Sequence, residues 1–287
     1  MPTEKASLLQ VINPPIYLIS VLPGVCVWLL HPEIASLSIL ITATFAVVML
    51  QHGINLHNDV TDWHRGTDVD KQLSWARYYA GHTQTLMKQT YISLLIGTLL
   101  GLYCIFLSKQ FAILFLATPL VLAGYFYNAG KIPLSYTKAG EWVTAICYGP
   151  GVFGCLWWLT SKTISVEIVV GGIIGSIAFA ALAAAILLSH QPAQIETDSA
   201  ANKISYAVRH GAARTYFMSR LLFVVFGLAL LMLNLIHGTD KINLFMIFTG
   251  TVATVLFLLK FTPCPPKILM PAAFIICANV ILSIFTR

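Results

Sequence analysis

Residues 34–70 read IASLSILITATFAVVMLQHGINLHNDVTDWHRGTDVD, and this stretch decides the fold. Residues 34–54 form an apolar run of the length that crosses about 30 Å of hydrocarbon. The remainder carries Asn55, Asn58, Asp59, Asp62, Asp68 and Asp70, with neither Gly nor Pro between residues 54 and 65. If the run continues as one helix, Asn55, Asn58/Asp59 and Asp62 recur at i, i+3/i+4 and i+7 and share a face. Gly66 then marks the helix end.

The rest of the chain agrees with a membrane setting. Of 287 residues, 57% are hydrophobic and only 10% charged, and the mean hydropathy is +0.80. A soluble globular chain runs near a quarter charged. This composition excludes a secreted disulfide scaffold, a disordered tail and a water-soluble enzyme. Only helices and closed barrels satisfy their backbone in lipid, and the apolar runs are of helix length. We therefore expect an all-α, polytopic integral membrane protein of about nine transmembrane helices. The spans fall near 14–30, 34–54, 90–107, 111–128, 141–160, 166–189, 215–236, 243–260 and 267–285. The segment before the first span carries one Lys and no small-residue cleavage pattern, so that span reads as a retained anchor.

Nine spans place Lys5, Arg65, Lys71, Arg77, Lys88, Lys131, Lys138, Lys203, Arg209, Arg214, Arg220, Lys260 and Lys267 on one side. Lys109, Lys162, Lys241 and Arg287 fall on the other. The positive-inside rule then expects a cytoplasmic N-terminus and an external C-terminus, in a bacterial cytoplasmic membrane. The net charge of +6 is thus a topology signal, and no nucleic-acid partner is implied. Six cysteines form no C-x-x-C pair and read as buried apolar thiols.

Two connections are long and polar, 55–89 and 190–214, after helices 2 and 6 on the cytoplasmic side. They hold six of the eleven acids. Their spacing suggests a single domain, 1–287, of two four-helix units (about 14–128 and 141–260) plus one helix. Carboxylates at membrane depth cost about 2.5–3.5 kcal/mol each on insertion scales unless paired, hydrated or metal-bound. The amide and carboxylate oxygens of the first stretch suit a hard cation such as Mg2+, which takes one or two carboxylates and fills its shell with water and phosphate oxygens. In the second stretch His190, Gln194 and Asp198 lie at i, i+4 and i+8, although Pro192 interrupts them, and Lys203 and Arg209 follow as phosphate donors. Gly149-Pro-Gly151-Val-Phe-Gly154 formally matches a nucleotide loop, but it lies inside a span. With Gly97/Gly101 and Gly171/Gly175 it reads as close helix packing.

These residues resemble the UbiA superfamily of intramembrane prenyltransferases over nearly the whole chain, and most of all its menaquinone-type branch. Asn55, Asn58, Asp59, Asp62, Gly66 and Asp68 fill that branch's N-x-x-N-D-x-x-D-x-x-x-G-x-D pattern without a gap. Tyr125-Phe-Tyr127, Pro133-Leu134, Tyr136 and Gly140-Glu141 resemble its next segment, and Tyr206-Ala-Val208-Arg209-His-Gly211 the stretch after its second motif. The second motif departs: the usual D-x-x-x-D is here Gln194-x-x-x-Asp198, which removes one negative charge. The resemblance implies Mg2+-dependent transfer from a polyprenyl diphosphate to an aromatic acceptor of the 1,4-dihydroxy-2-naphthoate kind, within membrane lipid. Asp59, Asp62 and Asp198 are then the catalytic acids, and Asn58, Asp59, Asp62, Asp68, Gln194 and Asp198 the metal set. Lys131, Lys203 and Arg209 are implied diphosphate contacts, with Asn55, Tyr125 and Tyr127 beside the allylic cation. The competing expectations are a non-catalytic isoprenoid-binding paralogue and a cation-coupled transporter.

Overall fold

The computed structural model describes residues 7–67, 73–237 and 241–286, with side chains left aside at 241–243 and beyond 278. Every regular element among the described residues is helical: α1 (Leu8–Ile12), α2 (Leu18–Leu30), α3 (Leu37–Arg65), α4 (Trp75–Tyr78), α5 (Thr83–Ser108), α6 (Ile113–Phe126), α7 (Gly140–Ile146), α8 (Cys155–Leu159), α9 (Val166–His190), α10 (Ile195–Ala200), α11 (Tyr206–Ile236), α12 (Lys241–Lys260) and α13 (Pro265–Thr286). Six helical stretches among them are long and apolar enough to cross a bilayer: Leu8–Leu30, Leu37–Arg65, Thr83–Ser108, Gly140–Leu159, Val166–Ala200 and Tyr206–Ile236. Shorter apolar helices, Ile113–Phe126, Leu244–Lys260 and Pro265–Ala278, lie at the other three expected spans.

Local chemistry starts and stops these helices, with α5 and α11 beginning at Thr83 and Tyr206, ahead of the expected spans at 90 and 215. The hydroxyls of Ser36, Ser165 and Ser205 accept the N–H groups of Ile39, Ile168 and Val208, satisfying orphan donors at the starts of α3, α9 and α11. α3 runs unbroken through the polar stripe and ends at Gly66, whose φ of 77° favours glycine. Gly211, at φ 77°, kinks α11 one turn after its start. A π-helical segment, Cys147–Gly154, joins α7 to α8 around Pro150, which has no N–H to give to the ladder.

The two most extensive helix pairings are α3 with α5 and α9 with α11. Small residues allow the first of these, and also the approach of the π-helical segment to α9. A Cβ at Gly97 would strike the Ala46 carbonyl, one at Gly149 the Ser176 carbonyl, and one at Gly175 the Phe153 ring. Gly101 has no such neighbour within 4 Å, so it plays no part in this packing. The Phe153 ring instead stacks on Phe179, with centroids 5.2 Å apart, and on Trp157 at 5.5 Å. The outward faces are apolar: Phe115 is 89% exposed and Val166 81% exposed. A lipid environment explains these exposed faces, and the chain is an integral membrane protein. The cysteines divide, with Cys26 and Cys104 buried as expected but Cys277 exposed on α13.

At the end opposite the polar stretches, two histidines just beyond the helices tie four helix ends together. His31 Nε2 lies 2.8 Å from Ser161 Oγ, whose own proton goes to the Trp157 carbonyl. His31 therefore donates through Nε2, and its Nδ1 accepts the Glu33 N–H at 3.1 Å. That arrangement requires a neutral ring. Trp157 separates His31 from His237, with centroids at 4.4 and 5.2 Å. His237 Nδ1 is 3.5 Å from Glu167. Burial, then the charge of His237, pushes His31 down to about 4, and burial also lowers His237 against the pull of Glu167. Because the folded values lie below the ordinary 6.5, the unfolded chain binds more protons between them. Stability is complete above about pH 6.5 and drains as pH falls toward 4. We expect the melting temperature in detergent to drop between pH 7 and pH 5, and His31→Asn to flatten that dependence. An unchanged slope in the variant refutes this assignment.

Candidate active site

The polar stripe of α3 meets the connection between α9 and α11, and Lys203 joins them. Its Nζ lies 3.9 Å from Asp62 Oδ2 and 3.6 Å from Asp198 Oδ1. Both carboxylates are buried, Asp62 at 3% and Asp198 at 1% exposure. These separations exceed hydrogen-bond length, so the ammonium acts on both acids as a shared charge. Lys203 is placed by its own turn: its N–H donates to the Asp198 carbonyl at 2.8 Å, and the next residue, Ile204, donates to the Tyr136 carbonyl at 3.1 Å.

Asp62 is held from several directions. The Tyr136 hydroxyl donates to Oδ1 at 2.7 Å and the Asn58 amide to Oδ2 at 3.0 Å. Since the phenol proton is spent on Asp62, the Thr67 hydroxyl, 2.6 Å away, donates to Tyr136. Burial and the neighbouring carboxylate raise the Tyr136 phenol well above its ordinary value, which keeps it a donor. Arg65 and Lys203 both lie over its ring, at 4.5 and 5.3 Å from the centroid. Asp59, one turn earlier, takes the backbone N–H of Trp75 at 2.7 Å and so fixes the start of α4.

Asp198 differs. Both of its oxygens are buried and, among the described residues, lack a partner at ordinary hydrogen-bond length, with only Lys203, at 3.6 Å, and the Ser205 hydroxyl acting on the carboxylate. A buried acceptor left in this state calls for an explanation, and a hard cation supplies one. No three His, Cys, Asp or Glu side chains among the described residues converge as a ready chelate. Mg2+ does not need one, because it draws most of its shell from water and phosphate. The donor set therefore fits a cation that arrives with a phosphate ligand, and not a preformed protein cage.

The remaining sequence candidates are spread around this centre. Tyr127 sits within the fields of Lys203, Glu141 and Asp62. Tyr125 packs on His57, with ring centroids 5.4 Å apart, and Asn55 is half-buried on α3. Lys131 is exposed, and its carbonyl accepts from Arg65 at 2.8 Å. Asp68 and Asp70 lie outside the described residues.

In the second motif the helical register departs from expectation. A 3-10 turn, Gln191–Gln194, intervenes between α9 and α10 at Pro192, which breaks the i, i+4, i+8 stripe. His190 is left exposed and Gln191 is buried in its place, while Gln194 sits half-buried at the start of α10. The buried Gln191 joins a network that sequence spacing did not reveal. Its amide donates to Glu141 Oε1 at 2.9 Å, and the same oxygen takes the Tyr206 N–H at 2.6 Å. Arg209, expected as a phosphate contact, pairs with Glu141 Oε2 at 3.5 Å. The only sequence signal for this network was Gly140-Glu141 opening a helix, where an acid suits the helix dipole.

The comparisons with known proteins bear on the fold and the family. The UbiA prenyltransferase family matches residues 17–276. The 1,4-dihydroxy-2-naphthoate octaprenyltransferase of Mycobacterium tuberculosis is 30% identical over 216 residues, which cover 74% of this chain and 70% of that protein. The 2-carboxy-1,4-naphthoquinone phytyltransferase of a Synechocystis species is 26% identical over 223 residues, covering 73% and 68%. A UbiA homologue from Archaeoglobus fulgidus, solved with DMAPP and Mg2+, superposes with a TM-score of 0.67 over 96% of this chain and 97% of that one. At 15% identity that likeness speaks for the fold alone. With the family matched across most of its length and a relative this similar over most of both chains, the chain belongs to the UbiA prenyltransferase family.

Proposed function

We propose that this prenyltransferase moves a polyprenyl chain from its diphosphate to an aromatic acceptor of the 1,4-dihydroxy-2-naphthoate kind, with Mg2+ as cofactor. The observation that carries the reading is Lys203 standing between Asp62 and Asp198, where two acidic motifs and a cation converge at the ends of membrane helices. The naphthoate and naphthoquinone transferases among its relatives support the acceptor class.

In this reading Asn58, Asp59, Asp62 and Asp198 would hold Mg2+, with Asp68 and Gln194 assisting. Bound there, the ion would neutralise charge that develops on the leaving diphosphate. Lys203, Arg209 and Lys131 bind phosphate oxygens, and Arg209 leaves Glu141 to do so. Tyr136 keeps Asp62 oriented through its donated hydrogen bond. Tyr125, Tyr127 and Asn55 face the allylic carbon and stabilise its positive charge. The allylic C–O bond breaks with its electrons on the diphosphate, and the electron-rich ring forms the new C–C bond and loses a proton. Nine crossing helices, a cytoplasmic N-terminus and two related halves complete the proposed architecture. The pairings α3 with α5 and α9 with α11 hold equivalent places in those halves.

The test is purified protein in liposomes with Mg2+, an allylic diphosphate and dihydroxynaphthoate, with products read by mass spectrometry. A prenylated naphthol is expected. Uptake of diphosphate without a product points to transport and overturns the reading. Gln194→Asp restores the charge missing from the second motif. We expect it to lower the Mg2+ concentration for half-maximal rate several-fold, read by metal titration of the same assay.

A further inference from the structure

A groove of about 470 Å³ lies along α3 next to the first motif, lined by Tyr17, Val48, Met49, His52, Trp75 and Tyr79 among others. Four of its nine lining residues carry rings, Tyr17, His52, Trp75 and Tyr79, and the rest are apolar side chains and Gln89. Trp75 stacks on Tyr79 with centroids 6.3 Å apart, and His52 meets the edge of Trp75 at 5.8 Å. Two polar pairs interrupt them: the Tyr17 hydroxyl lies 2.6 Å from His52 Nδ1, and the Gln89 amide donates to the Tyr79 hydroxyl at 2.9 Å. The groove and the acidic site share Trp75, which lines the one and donates its backbone N–H to Asp59 in the other. His52 and Asp59, seven residues apart, lie on one face of α3 about 10 Å apart along its axis.

We infer that this groove takes the aromatic acceptor ring and that His52, oriented by Tyr17, removes the proton from its hydroxyl. The inference rests on the proposed prenyl transfer and names the base that the acidic motifs do not supply. Flat aromatic walls suit a planar ring, since offset and edge contacts between such faces are favourable. Asp59 stands where the diphosphate end of the donor belongs, so a ring in the groove meets the reactive carbon and not the far tail. With Nδ1 engaged by Tyr17 acting as acceptor, Nε2 of His52 carries the free lone pair. Among the described residues the other titratable groups lining the groove are Tyr17 and Tyr79, and neither is a base at neutral pH. Asp59 is not among the groove's lining residues, and its carboxylate takes the Trp75 N–H.

The step balances. The allylic C–O bond breaks and its electron pair leaves on the diphosphate. The ring carbon forms the new C–C bond while the hydroxyl O–H electrons become a C=O, and the proton passes to Nε2. When that ring carbon gives up its own proton to water, aromaticity returns and the imidazolium returns its proton to the oxygen.

The experiment uses the full chain in liposomes with dihydroxynaphthoate and an allylic diphosphate, comparing wild type, His52→Ala and Tyr17→Phe. We expect His52→Ala to lose about 100-fold or more in kcat, the range for a general base, with the donor KM unchanged. Its rate should recover as pH rises and the acceptor hydroxyl ionises unaided, and in part with added imidazole. Tyr17→Phe should lose less and keep the wild-type pH profile. A His52→Ala rate within a few-fold of wild type overturns the assignment, as does a loss that neither alkaline pH nor imidazole relieves. Absence of any prenylated product from wild type overturns the transfer reading itself, a result distinct from either.

Discussion

Asp62→Ala is expected to lower Mg2+-dependent prenyl transfer by about 1,000-fold or more, the largest single effect at this site. The carboxylate is the point where three groups converge: Tyr136 at 2.7 Å, Asn58 at 3.0 Å and the Lys203 ammonium at 3.9 Å. Removing it takes away a proposed metal ligand, releases Tyr136 and Asn58, and leaves Lys203 with Asp198 alone. Electrostatic stabilisation of a leaving group supplies several kcal/mol, and each 1.36 kcal/mol is a factor of ten in rate. Asp62→Asn keeps the shape and an acceptor oxygen for Tyr136 but drops the charge. It should therefore retain a near-native melting temperature while losing most of the activity. Full activity in either variant contradicts the assigned site.

The second large effect is expected at Lys203, and it is one of stability. Lys203→Met leaves Asp62 and Asp198 buried and facing one another without the intervening cation. Breaking a buried pair from one side costs about 3–5 kcal/mol, because the remaining charge is left uncompensated. Two consequences separate this account from a simple packing defect. Mg2+ should restore part of the lost stability, since it replaces the missing positive charge between the acids. Combining Lys203→Met with Asp198→Asn should also cost less than the sum of the single changes, as coupled residues are not additive. Thermal unfolding in detergent, with and without Mg2+, reads both. Additive losses and no response to the metal refute the bridging role.

The first motif was legible because its geometry is local. One uninterrupted helix carries Asn55 to Asp62, so a period of 3.6 residues is enough to place them, and Gly66 ends the helix as its composition suggests. The second motif was only partly legible. α9 ends with His190 exposed, and the 3-10 turn Gln191–Gln194 around Pro192 breaks the register before Asp198, so no periodicity rule carries across it. The contacts that join the two motifs are further still from sequence logic. Lys203 reaches Asp62 across 141 positions and Glu141 meets Tyr206 across 65, so only the packing of α3, α7 and α11 brings them together. Charge type announced these residues, but their partners are set by the tertiary fold. Arg209 shows the difference, since a side chain expected to face phosphate is engaged with Glu141.

The central claim is that the two acidic motifs and Lys203 form one Mg2+-dependent diphosphate site. Its most direct test is the affinity of the solubilised protein for a non-cleavable allylic thiodiphosphate, measured by calorimetry with Mg2+ and with chelator. The account expects tight binding with Mg2+, weaker by about 100-fold or more in chelator, a coupling of about 2.7 kcal/mol. It expects the same weakening in Asp198→Asn with the metal present. Equal affinity with and without Mg2+, or binding unaffected by the loss of Asp198, would contradict it.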